Sequence, residues 1–234
     1  MRRVLPVVLS RTTVVVMTGS LDAARLAAMR SEYENAGLDD GTAGDDPMDL
    51  LRRWLDDVVD AQVPEPNAMA LATATLDGLP SVRTVLMKGL DDRGITFFTH
   101  YSSRKGVELA ANPRAAATLL WHPVQRQVRL EGRVERLPEE ESDAYFASRP
   151  RGAQLGAVAS HQSRPVADRA ALEEQVRQAT ERAGDAEVRR PSTWGGYLLV
   201  PTTIEFWHGR RNRVHDRLLF RHEGADWTRT RLQP

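Results

Sequence analysis

The stretch AMALATATLDGLPSVRTVLMKGLDDRGITFFTHY, residues 68–101, decides the fold. Its period is two, and turn residues interrupt it at short intervals, the pattern of strands joined by hairpins. Ala68 to Leu76 reads as a strand, Asp77-Gly78 supplies a turn, and Ser81 to Leu90 reads as its partner. The turn DDRG (91–94) then leads into a third strand, ITFFTHY (95–101).

Downstream the same grammar continues. SRKGVELAANP (103–113) reads as a short helix stopped at Asn112-Pro113. AATLLWHP (116–123) and QRQVRLEGRVERL (125–137) read as strands. PEEESDAYFASRP (138–150) starts a helix with acidic residues at its positive end. A polar helix from about Asp168 to Ala183 precedes a loop at 182–196, the strand YLLVPTTIEFWHG (197–209) and a last hairpin at 217–232.

Upstream, Leu21 to about Ala36 is rich in helix formers, and GLDDGTAGDD (37–46) reads as a loop. Asp46 offers an N-cap with Pro47 behind it, and Leu50, Leu51, Trp54, Leu55, Val58 and Val59 form one apolar stripe. Residues 1–20 begin basic and apolar, but Pro6 and Arg11 break the run. They read as a disordered extension, or as an upstream start with Met17 the true one, ahead of a single domain at 21–234. Strands and helices do not alternate regularly, so a doubly wound sheet is not expected. The expectation is an α+β, mainly β chain, an antiparallel barrel with peripheral helices.

The 234 residues carry 32 basic and 32 acidic side chains, a formal net charge of zero. A general nucleic-acid binder needs positive excess, so none is expected. The chain has no cysteine, which excludes disulfides, thiolate metal sites and cysteine nucleophiles and fits a reducing compartment, here the cytoplasm. No apolar run approaches the roughly 20 residues of a membrane span. The histidines lack ligand spacing, so no metal is expected, and no phosphate-binding glycine loop occurs.

Two basic groupings carry chemistry. Arg83 and Lys88 fall on one expected strand, and Arg104 and Lys105 at a helix entrance, where free N–H groups attract anions. The alternative is a solvated basic turn. Arg213, His215 and Arg217 alternate, so on an extended chain they face one side and Asp216 the other. Such a face suits an anion, with Phe206 and Trp207 offering surface to a flat ring. Its alternative is a charged hairpin edge that resists aggregation.

The segments RTVLMK (83–88), FFTHYSSRKG (97–106), NPRAAATLLWHPVQRQVRLEG (112–132), YFASRPRGAQLGA (145–157), SHQS (160–163), WGGY (194–197), EFWHGRRNRVHDR (205–217) and RLQP (231–234) together resemble the pyridoxine/pyridoxamine 5'-phosphate oxidase family. The likeness runs from about Arg30 to the C-terminus. It implies a split β-barrel and a homodimer with FMN at the subunit interface. It implies that Arg83, Lys88, Arg104, Lys105 and Ser163 hold the FMN phosphate and ribityl chain. Val85, Leu86, Phe98, Thr99, Gln127, Gln162, Trp207 and Arg217 would meet the ring and its edges. Lys88, Tyr145 and Arg149 would grip the substrate phosphate, Arg213 and His215 would cover the pyridine ring, and Arg30 and Tyr33 would belong to a lid.

The implied reaction oxidises pyridoxine or pyridoxamine 5'-phosphate with dioxygen to pyridoxal 5'-phosphate. One departure stands out: Ala153 occupies a place where the family commonly has serine, which implies a lost hydroxyl contact and a higher Michaelis constant. Two alternatives are a split-barrel reductase using flavin or deazaflavin, and a non-catalytic carrier of FMN or pyridoxal phosphate. Both are disfavoured by NRVHDR (212–217).

Overall fold

Helix α2 (Pro47–Asp60) shows how local signals are realised. The Asp46 carboxylate accepts from the N–H groups of Met48 and Asp49, and Pro47 occupies the first turn. Leu50, Leu51, Trp54 and Val58 are buried, while Val59, at 57% exposure, lies off the stripe. The computed structural model describes residues 37–224 and 226–234. The expected helix at 21–36, the N-terminal extension, Arg30 and Tyr33 lie outside the described residues.

Nine strands are described: β1 (Ala68–Ala74), β2 (Pro80–Leu86), β3 (Gly89–Asp91), β4 (Gly94–His100), β5 (Arg114–Trp121), β6 (Arg126–Arg136), β7 (Trp194–His208), β8 (Asp216–Glu223) and β9 (Asp226–Arg231). They pair antiparallel in the order β2-β1-β5-β6-β7-β4-β3, with β8 also on β7 and β9 on β8. The 15-residue β7 organises the sheet. One edge pairs with β6, while its other edge pairs first with β4 and then with β8. The register of β6 on β7 shifts between Glu131 and Gly132. A Cβ on Gly132 would come within 2.0 Å of the Val200 carbonyl oxygen, so only glycine allows this close approach. The sheet curls there into the split barrel that the resemblance implies.

The remaining helices are α1 (Asp40–Ala43), α3 (Arg104–Ala111), α4 (Glu139–Ser148), α5 (Arg151–Ala159) and α6 (Arg169–Ala183). The main core gathers Trp54 edge-on to Phe206 at 5.1 Å, with Leu51, Phe97, Leu119, Leu130, Ile204 and Phe220. A smaller cluster joins Phe146, Leu155, Val188 and Trp194.

Three further sequence expectations change. The strand expected over Ser81–Leu90 is two strands, because the chain switches partners at Met87. The Met87 N–H donates to Asn67, opposite β1, whereas the Lys88 N–H donates to Thr96 in β4. The loop at 37–46 contains the single turn α1, capped by Asp39. Helix α5 had no expectation, since Gly152 and Gly156 weaken its propensity; the packing of Leu155 and Ala157 sustains it.

Candidate active site

The turn before α3 builds the first half of the site. Ser103 caps the helix by accepting from the Gly106 N–H, and its hydroxyl donates to the His100 carbonyl at 2.7 Å. This fixes the direction of Lys105, which is 6% exposed. Its Nζ donates to Thr99 Oγ1 at 3.1 Å and Gln162 Oε1 at 3.2 Å. Burial, reinforced by the charge of Arg83 and opposed by Glu108, lowers the Lys105 ammonium to about 8. A solvated basic turn is therefore wrong for Lys105, although Arg104 remains largely exposed.

Behind these cations lies Glu108, 4% exposed. It accepts from Ser81, Thr73, Arg83 and from Arg104 Nε at 2.8 Å. Burial alone would raise its carboxyl; the hydrogen bonds from Ser81, Thr73 and Arg104 outweigh it and hold the group at about 2. Arg83 also donates to Thr73 Oγ1 at 2.6 Å and Ser81 Oγ at 2.5 Å. A cavity of about 400 Å³ opens beside Arg104, Glu108, Ser163 and Arg164. Ser163 is held in the left-handed region at φ 70. Lys88 sits in the bend after β2, where the chain leaves β1, so it does not share a strand with Arg83. Val85 and Leu86 point to opposite faces of β2.

An aromatic stack adjoins this region. Phe98 stacks on Tyr145 at 3.8 Å, and Tyr145 lies parallel to Trp194 at 6.2 Å. The Arg149 guanidinium lies 4.8 Å from the Trp194 ring, and its Nη1 is buried with no hydrogen-bond partner among the described residues. Such an orphaned cationic donor fits an anion. Burial lowers the Arg149 guanidinium, with Tyr145 opposing. His100 is lowered first by burial and then by the charges of Lys105, Arg149 and His161. Those groups therefore crowd one electropositive region. Trp194 and Glu108 were missed as site residues; WGGY (194–197) signalled the first, while nothing local marks the second.

The second group forms at the far end of β7. Gln127 pairs opposite Trp207, and Trp207 opposite Arg217, so the three share one face. Arg217 Nε donates to the buried Glu205 at 2.7 Å, and its Nη1 to the Gln233 carbonyl at 2.9 Å. The Trp207 and His215 rings lie 4.7 Å apart, tilted by 47°. The expected alternation of Arg213, His215 and Arg217 along a strand does not hold. Arg211–Arg213 is a 3-10 turn in which Asn212 (φ 57) and Arg213 (φ 63) are left-handed, and β8 begins only at Asp216. Burial, then the charge of Arg213, lowers the His215 imidazole, favouring the neutral ring near pH 7. Its Nδ1 accepts from the Arg210 N–H at 3.1 Å, which assigns the neutral ring's proton to Nε2.

Among the described residues, these groups lie toward opposite ends of β7. Thr99 pairs with Gly195, whereas Gln127 pairs with Trp207. Roughly 40 Å of strand separates Gly195 from Trp207. No helix among the described residues is long and apolar enough to cross a membrane.

Comparison with known proteins adds to this geometry. Residues 55–183 match the family model described as pyridoxamine 5'-phosphate oxidase, and residues 194–234 match the pyridoxine 5'-phosphate oxidase C-terminal dimerisation region. The pyridoxine/pyridoxamine 5'-phosphate oxidase of Salinibacter ruber is 55% identical over 213 residues, covering 90% of this chain and 99% of that protein. The protein of the same name from Rubrobacter xylanophilus is 53% identical over 209 residues, covering 89% and 96%. Among solved structures, PhzG from Burkholderia lata 383, in complex with tetrahydrophenazine-1-carboxylic acid, superposes with a TM-score of 0.78 at 38% identity, covering 82% of this chain and 94% of that one. With this agreement in both sequence and barrel, the chain belongs to the pyridoxine/pyridoxamine 5'-phosphate oxidase family of enzymes.

Proposed function

We propose that the protein is an FMN-dependent oxidase that converts pyridoxine 5'-phosphate and pyridoxamine 5'-phosphate to pyridoxal 5'-phosphate. Dioxygen is the electron acceptor and hydrogen peroxide the product; the amine also consumes water and releases ammonia. The observation that carries this reading is the pairing of two cationic grips beside one aromatic stack: Lys105 with Arg104, and Arg149 with Tyr145. Two phosphorylated ligands, one with a flat ring system, suit that arrangement.

The donor set fits FMN. Arg83, Arg104, Lys105 and Ser163 would hold its phosphate, while Thr99 and Gln162 offer polar contacts to its ring. Bound FMN supplies the two-electron redox chemistry. The chain's own residues bind and orient. Arg149 and Tyr145, with Lys88, grip the vitamer phosphate, and His215 presents a neutral imidazole with its proton on Nε2. Arg213 adds positive charge beside that ring. Orientation of this kind makes an encounter effectively unimolecular.

A homodimer completes the site. The outer face of β2, β1 and β5 exposes Val82, Leu86 and Leu120, and continues toward Gln127 and Trp207. A second copy seated there would bring its Lys105–Tyr145–Arg149 end to the first copy's Trp207–His215–Arg217 end. The match of residues 194–234 to a dimerisation region supports the same reading.

The test is direct. The purified protein should be yellow and should release peroxide and aldehyde when given either vitamer phosphate in air. Bound flavin without turnover of either would overturn the proposal. Turnover of a tetrahydrophenazine carboxylate instead would favour a second reading, which the likeness to PhzG supports.

A further inference from the structure

Asp216 stands between His215 and Arg217 in sequence, yet its carboxylate serves neither. Its side chain is 14% exposed. Oδ2 accepts from Arg210 Nε at 2.7 Å and from the Leu38 N–H at 2.9 Å, and Oδ1 accepts from Arg231 Nη1 at 2.7 Å. Arg231 in turn donates to the Leu38 carbonyl at 3.1 Å and to Asp40 at 2.7 Å. The Arg210 guanidinium packs directly on the backbone of Gly37, where a Cβ would come within 2.1 Å of Nε. Gly37 also has φ +92, a backbone conformation that strains any other residue.

We propose that Asp216 is a positioning residue for His215: its carboxylate anchors Arg210, whose backbone N–H fixes Nδ1 of the imidazole. The intervening turn contains two consecutive left-handed residues, Asn212 and Arg213. Non-glycine residues keep that conformation only where neighbours hold it. The Asp216–Arg210 pair closes the turn from both ends, and Gly37 and Leu38 brace the pair from outside. Of the charges nearby, Arg213 faces the imidazole, while Arg210 and Arg231 face the carboxylate. The proposal rests on His215 being the substrate-facing group of the function proposed above.

The test uses the full-length, FMN-loaded protein with Asp216→Asn, and with Arg210→Met, which keeps the backbone N–H. The imidazole titration of His215 is followed by NMR, its signal assigned by its loss in His215→Gln. A donor on Nδ1 stabilises the neutral ring, so loosening it moves the titration upward, toward an ordinary histidine. Both variants should show that shift, and kcat should fall about tenfold with KM changed less than twofold. Unchanged His215 titration and kcat, with only thermal stability lost, would overturn the positioning role. Wild-type protein that binds FMN but turns over neither vitamer would defeat the functional reading instead, and the titration would still judge Asp216.

Discussion

Ser81 donates a 2.6 Å hydrogen bond to Oε2 of Glu108, so strand β2 and helix α3 share one buried carboxylate. The same carboxylate orients Arg83 and Arg104, two of the cations proposed for the FMN phosphate. An acidic group behind an anion site is unfavourable by charge alone; its value here is geometric, since it fixes guanidinium groups that would otherwise sample many rotamers.

Removing that carboxylate should cost stability in a pH-dependent way. Glu108→Ala leaves Thr73 and Ser81 without this acceptor, takes the carboxylate from Arg83 and Arg104, and should destabilise the apoprotein by about 3 kcal/mol. The folded Glu108 titrates at about 2, below its ordinary value of 4.5. Its stabilisation is therefore complete above the ordinary range and lost as pH falls through about 2. Melting curves of wild type and Glu108→Gln should differ most near pH 6 and converge toward pH 2. A constant gap across that range would count against the assignment.

Lys105 gives the opposite sign. Burial lowers it to about 8, so the folded chain holds a disfavoured charge below that pH and is relieved of it between about 8 and the ordinary 10.5. Phosphate binding needs the charged form. FMN affinity of the free protein should therefore fall above about pH 8, by up to about tenfold per pH unit, and the dependence should vanish in Lys105→Met. Quenching of FMN fluorescence at pH 7 and pH 9 measures it.

Arg149→Lys should act on substrate binding more than on chemistry. The lysine keeps the charge but loses the planar fork and the stacking on Trp194. KM for either vitamer phosphate should rise about tenfold or more with kcat little changed. Ala153→Ser, in the first turn of α5, should lower KM a few-fold by restoring a hydroxyl donor. Steady-state peroxide assays read both.

The dimer has its own test. Leu120 is 59% exposed on the outer face of β5, a position that tolerates charge in a monomer and not in an apolar interface. Leu120→Glu should shift sedimentation toward the monomer and weaken FMN binding together. Loss of one without the other would separate dimerisation from cofactor binding.

Sequence periodicity alone determined most of the elements around the site. The strands at 68–74 and 95–100, the cap at Asp46 and the helix start at Arg104 depend on neighbours within a few residues, and local patterns report these faithfully. The family likeness named the candidate side chains. It grouped them by ligand but carried no distances or hydrogen-bond partners.

Tertiary structure decided the rest, because burial and partnership depend on residues far apart in the chain. For Lys105 a solvated turn stays open as an alternative until Gln162, 57 residues later, covers it. Glu108 is an ordinary helical glutamate until β1 and β2 fold over it. Arg213 leaves the expected strand face because the chain reverses at Asn212, and the Asp216 carboxylate is held in part by Leu38, 178 residues away. Most consequential is the length of β7. It places the two halves of the proposed site toward opposite ends of one strand, a separation that the proposed homodimer would bridge.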